Sequence, residues 1–166
     1  EAEVFLQQLR RLVRWLGVCD GNMEEGSLRC DANVSVNPEG QGLGSKVEVK
    51  NLNSTKFVRR AIAFEIARQQ EILERGGTVT QETRLWNENR DQTEPMRNKE
   101  NAHDYRYFPE PDLPVFIPDA AFLASVDASL VELPFDREKR MEAEYGLQAA
   151  QAAFVCEERA MADYFE

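Results

Sequence analysis

The sequence predicts an α+β protein. A largely antiparallel sheet carries helices on one side, and an α-helical segment follows. Three observations carry this. Residues 27–36 and 46–50 alternate polar and apolar side chains with the period of a strand. Residues 54–75 recur with the period of a helix. From about Ala121 the composition shifts to helix formers.

Residues 2–16 read as an amphipathic helix, with Phe5, Leu9, Leu12, Val13 and Leu16 on one stripe and Gly17 ending it. Arg10, Arg11 and Arg14 then cover a solvated face. Asp20-Gly21-Asn22 is a turn. In the first strand Leu28, Cys30, Ala32, Val34 and Val36 point one way, and Ser27, Arg29, Asp31, Asn33 and Ser35 the other. In the second, Val47 and Val49 point inward and Lys46, Glu48 and Lys50 outward. Residues 37–45 between them hold three glycines and a proline, as a hairpin connection should.

If Ser35 pairs with Lys46, Asn33 faces Glu48 and Asp31 faces Lys50. Asp31 and Glu48 are then diagonal neighbours, about 7–8 Å apart at Cα. One cation could bridge them, with Arg29 and Lys50 beside it for phosphate oxygens. A solvated sheet face is the commoner source of such alternation. Glu25 points to the same polar face if the strand starts early. Glu24 reads as a turn-edge carboxylate facing water.

Ser54 is a plausible N-cap, and the helix it opens runs to about Arg75 before Gly76-Gly77. Val58, Ala61, Ile62, Ile66 and Leu73 face its core side. Arg59, Arg60 and Arg68 with Glu65, Glu71 and Glu74 read as surface pairs. Residues 78–86 form another strand, with Thr80, Glu82, Arg84 and Trp86 on one side. A polar loop, 87–94, follows. The run His103-Asp104-Tyr105-Arg106-Tyr107-Phe108 reads as a buried edge strand; aromatics around an arginine also suit stacking on a base. Further on, Asp136 caps a helix, Gly146 ends it, and a second helix covers 147–166. The domain boundary falls near 119–134, which divides the chain into 1–125 and 126–166.

Composition narrows the function. Hydrophobic content is 42% and charged content 30%, as in a water-soluble globular chain. No apolar run is long enough to span a bilayer, so no membrane role is expected. Residue 1 is Glu and no signal peptide is visible, so the chain reads as a fragment. Cys19, Cys30 and Cys156 lack metal or disulfide spacing, and His103 is the only histidine. A metal here is expected to be held by oxygen, which points to magnesium. The net charge of −10 argues against a free-standing nucleic-acid module.

The runs GNMEEGSLRCDANVSV, KVEVKNLNSTKFVRRAI, ERGGTVTQETRLW and MRNKENAHDYRYFPEPDLP, in this order, resemble the B subunit of the glutamyl-/aspartyl-tRNA amidotransferase. The stretch REKRMEAEYGLQAAQAAF…ADYFE resembles the opening of the helical domain in that family. The resemblance implies about a third of the full protein: the second half of a glutamine-synthetase-like catalytic cradle (1–125) and the start of a helical domain (126–166). It implies a carbon–nitrogen ligase using ATP and Mg²⁺. That enzyme phosphorylates the side-chain carboxylate of misacylated Glu-tRNA(Gln) or Asp-tRNA(Asn) and converts it to the amide. Ammonia comes from a partner glutaminase/amidase subunit, a small third subunit completes the complex, and the compartment is the bacterial cytoplasm or an organellar matrix or stroma. Carried over by position, Asp31 and Glu48 match metal-site acids; strand parity, not the resemblance, adds Glu25 as a third metal candidate. Arg29 and Lys50 are expected catalytic phosphate neighbours, and Asn33, Arg84 and Arg106 cofactor or acyl-end contacts. The family's N-terminal metal ligands are not in these residues. The rival reading is a non-catalytic scaffold that docks partner subunits. A polar face walled into a concave site favours catalysis, and a flat one favours the scaffold.

Overall fold

The computed structural model describes residues 1–96 and 111–166. Ten elements follow in order: α1 (Ala2–Trp15), β1 (Ala32–Val34), β2 (Val47–Lys50), α2 (Thr55–Glu74), β3 (Glu82–Asn87), β4 (Gln92–Pro95), α3 (Ala120–Ser129), α4 (Pro134–Tyr145), α5 (Ala149–Val155) and α6 (Arg159–Phe165). They fall into two compact units, Glu1–Asn98 with Glu157–Glu166, and Lys99–Cys156. The class is α+β, as expected from the sequence.

In the first unit four strands pair in the order β1-β2-β3-β4. The outer pairs are antiparallel, and β2 and β3 run parallel because α2 intervenes between them. Asn33 faces Glu48, the expected register. The strand itself is shorter than the alternation suggested. Side chains alternate from Leu28 to Val34, but the backbone pairs only over Ala32–Val34. The partner strand ends at Lys50, because Asn51 takes a left-handed backbone (φ 65°) and turns the chain away. Residues before Asp31 therefore have no strand opposite them.

The core comprises Leu6, Met23, Ala32, Val47, Val49, Leu52, Val58, Ala61, Val79 and Trp86. α1 sits with Leu6 and Trp15 inward and Phe5 exposed, so its stripe is rotated from the expected one and Arg11 is buried. Ser54 caps α2 by accepting from the Phe57 amide at 3.2 Å. Gly76, with φ 72°, closes the helix: its amide donates to Leu73, and Gly77 donates to Ile72.

The buried stripe of α2 runs Val58, Ala61, Glu65, Gln69. Ile66 was expected inside and is half-exposed, whereas Glu65, expected on the surface, is fully buried. The reason is polar pairing. Gln69 donates to the Val34 carbonyl (3.1 Å) and accepts from the Val36 amide (3.0 Å). Glu65 accepts from Thr93 (3.0 Å) and Arg68 (2.6 Å).

The strand expected over 78–86 pairs from Glu82, with Val79 buried ahead of it. The expected polar loop is a hairpin. Asn87 Oδ1 accepts from the amides of Asn89 and Arg90, Asp91 takes φ 54°, and β4 returns along β3.

In the second unit α3 is capped by Asp119, whose carboxylate accepts from the Phe122 amide at 2.7 Å. Its residues are all exposed. α4 begins two residues before Asp136, because Pro134 supplies the first helical position. Gly146 ends it with φ 67°. Met141 packs on Cys156 with the sulfurs 3.5 Å apart. The single helix expected over 147–166 is two, α5 and α6, broken at 156–158.

Candidate cation and phosphate site

The sheet has two chemically different faces. Val47, Val49, Arg84 and Trp86 are on the face packed against α2. Strand parity puts Asn33, Glu48, Lys50, Thr83, Leu85 and Glu94 on the other, open face. Asn33, Glu48 and Thr83 form one row across three strands.

Glu48 is the fixed point of that row. Its Oε2 accepts from the Thr83 hydroxyl at 3.0 Å and lies 3.6 Å from Lys50 Nζ. Its Oε1 has no hydrogen-bond partner among the described residues. Lys50 is 41% exposed at its side chain, so its contact is a solvated one that can be exchanged. Further along the face, the Glu94 carboxyl is held below its usual range by the Asn87 amide, then by Gln92, with Arg90 adding to both.

The second part of the site is a loop. Residues 20–28 are tied together from within. The Asn22 amide donates to Asp20, Asn22 Oδ1 accepts from the amides of Glu24 and Glu25, and its carbonyl accepts from Ser27. Gly21 has φ 68°, and Arg10 lies across it so closely that a Cβ would meet Arg10 Cγ at 2.5 Å. The Arg10 Nε donates to the Gly21 carbonyl at 2.8 Å. The loop walls an open groove of about 420 Å³ whose rim carries Glu25, Arg29, Asp31, Asn51 and Asn53. Asn51 is locked in place by donating to the Trp86 carbonyl at 2.9 Å.

The expected site residues therefore divide. Glu25, Arg29 and Asp31 are exposed and share the groove. Glu48, Lys50 and Asn33 stand on the sheet face beyond it. Arg84 is on the opposite, helix-covered face. It donates to Thr93 through Nε and Nη2 and to Glu82 through Nη1, all at 2.8 Å, with Glu65 at 3.7 Å. Its guanidinium is 11% exposed and committed to carboxylates, so it does not join the open row. Arg106, with Tyr105 and Tyr107, lies outside the described residues.

Cys30 adjoins Asp31, and burial, followed by the Asp31 charge, pushes its thiol up. Sequence reasoning missed Thr83 and Asn51. The parity of β3 alone sets Thr83 opposite to Arg84 and so signals the first.

Among the described residues no three carboxylate, thiol or imidazole groups converge to hold a metal ion. This arrangement of the described residues is not a cage of protein ligands of the calcium or zinc kind. It fits magnesium, which keeps several waters and takes one or two carboxylates plus phosphate oxygens. The free Oε1 of Glu48 and the open Asp31 carboxylate are donors of the right type.

Residues 1–124 match the family model of the GatB/GatE catalytic domain. The chain belongs to this family. Over 167 aligned positions it is 56% identical to the B subunit of the aspartyl/glutamyl-tRNA(Asn/Gln) amidotransferase of Bordetella pertussis, covering 100% of this chain and 34% of that protein. It is 52% identical to the same-named proteins of Pseudomonas entomophila and Carboxydothermus hydrogenoformans, covering 35% of each. The chain thus spans about a third of the length of the curated relatives it matches. Among the described residues, no helix is long and apolar enough to cross a membrane.

Proposed function

We propose that the chain is part of the catalytic cradle of a tRNA-dependent amidotransferase working in the cytosol. In this reading ATP phosphorylates the side-chain carboxylate of Glu-tRNA(Gln) or Asp-tRNA(Asn), and ammonia then displaces the phosphate to leave the amide. A glutaminase subunit supplies the ammonia, and a small third subunit completes the complex. The observation that carries the reading is a pair of carboxylates on the polar side of the sheet, Glu48 on β2 and the exposed Asp31 just ahead of β1, with Arg29 and Lys50 each two residues away along the chain.

The physical demand is charge control. A triphosphate and a carboxylate must approach each other. When bound, Mg²⁺ neutralises phosphate charge and orients the phosphoryl group. Asp31 and Glu48 would hold it, with Glu25 at the rim of the groove. Arg29 is exposed and has no partner among the described residues, so it can take a phosphate oxygen without breaking an existing pair. Lys50 exchanges a loose contact for one. Arg84 is committed elsewhere and takes no part.

The test is ATP-dependent amide formation in the complete complex at limiting magnesium, with Asp31→Asn and Glu48→Gln. A lost positioning contact costs on the order of a hundredfold in turnover, while glutamine hydrolysis on the partner persists at least in part. If both variants transamidate like wild type, the row is an ordinary solvated face. One observation favours a second reading, docking of partner subunits. Leu113, Val115, Phe116 and Ile117 lead into α3 at 70–88% exposure, an apolar strip of the kind that marks contact surfaces.

A further inference from the structure

We infer that Thr83 is a positioning residue for Glu48, setting which carboxylate oxygen is offered to a divalent cation. The inference rests on the proposed cation site and names a residue outside the expected set.

The geometry is asymmetric. Both contacts to Glu48, from Thr83 and from Lys50, fall on Oε2, and Oε1 is left without a partner among the described residues. The two partners differ in kind. Thr83 is β-branched, with few χ1 choices, and sits directly across from Glu48 in the parallel register of β2 and β3. Its hydroxyl therefore arrives already oriented. Lys50 reaches the same oxygen by a flexible stem at 3.6 Å. The terminal torsion of a glutamate is broad. Without the hydroxyl, only Lys50 restrains it, and either oxygen can turn toward the ammonium. An amine that captures both oxygens competes with a divalent ion for the same carboxylate. With the hydroxyl in place one oxygen is engaged and the other stays available. Partners that orient a ligand in this way typically change metal affinity ten- to a hundredfold, roughly, when removed.

The experiment uses the complete amidotransferase complex with Thr83→Val, Thr83→Ala, Thr83→Ser and Glu48→Gln. Two quantities are read: Mn²⁺ affinity by electron paramagnetic resonance, and the Mg²⁺ concentration that half-saturates amide formation. Thr83→Val and Thr83→Ala should each weaken Mn²⁺ binding by about tenfold and raise the half-saturating Mg²⁺ by a similar factor. Turnover at saturating Mg²⁺ should stay within about twofold of wild type. Thr83→Ser, which keeps the donor, should restore both values. If Glu48→Gln shifts the cation dependence but the hydroxyl-free variants do not, the role of Thr83 is refuted and the cation site stands. If serine fails to rescue, the effect is one of strand packing and the inference is likewise overturned. If Glu48→Gln itself leaves cation binding unchanged, the cation site fails first, and Thr83 with it.

Discussion

Glu65 shows how one residue can be misread by pattern and explained by partners. It occupies an apolar stripe position of α2 and is fully buried, yet Thr93, Arg68 and Arg84 surround its carboxylate. Removing the charge leaves the Arg68 and Arg84 guanidinium groups under the helix with Glu82 as their one remaining carboxylate among the described residues. Glu65→Gln should therefore lower unfolding free energy by about 3 kcal/mol, read from urea denaturation. A loss under 1 kcal/mol would mean that water reaches the network.

Asp20 and Glu94 contribute to the acid limb. The Asp20 carboxyl is held below its ordinary 3.8, chiefly by the Asn22 amide and then the Ser27 hydroxyl, and Glu94 below its ordinary 4.5. The folded state thus binds fewer protons than the unfolded one. Their contribution is complete above the ordinary values and is lost as pH falls through the depressed ones. Asp20→Asn with Glu94→Gln should flatten the fall of the urea midpoint between about pH 5 and pH 3 relative to wild type.

At the scale of elements, β1 is a three-residue edge strand that a helix side chain finishes. Gln69 supplies the donor and the acceptor that a fifth strand would have supplied, to Val34 and Val36. Gln69→Leu fits the stripe by hydrophobicity but leaves a carbonyl and an amide unpaired. It should cost about 1–3 kcal/mol. Amide exchange at Val36 should quicken before global unfolding does. Unchanged protection at Val36 would show that another group takes over. The hairpin of β3 and β4 is built by the same rule: an Asn side chain caps the turn and Asp91 accepts the left-handed position.

Across the molecule as a whole, charge and apolar surface are unevenly shared. Residues 119–166 carry eleven acids and four bases, and α3 exposes Phe122, Leu123 and Val126. Neither feature suits a surface that meets RNA directly. The chain alone, given ATP, glutamine and misacylated tRNA, should form no amide above background. It should retain tRNA weakly in a filter assay, more weakly still as salt rises. Robust amide formation by the isolated chain would show that the remaining two-thirds of the relatives' length is not needed for the chemistry.

Local rules suffice for the class, the alternation of the two strands, the Asn33–Glu48 register and the ends of α2. Those rules are a period of two, a serine cap, and a glycine that accepts a left-handed backbone. The polar row was legible for the same reason. Which polar residues leave that row is a matter of long-range packing. Parity assigns Arg84 a face, but not what covers that face. The packing of α2 covers it and commits Arg84 to Glu65, Glu82 and Thr93. The parallel pairing of β2 with β3 brings Thr83 against Glu48. That pairing joins strands separated by a twenty-residue helix, so no local pattern could specify it. Burial and long-range register are properties of the assembled sheet, and they separate the open carboxylates from the committed charges.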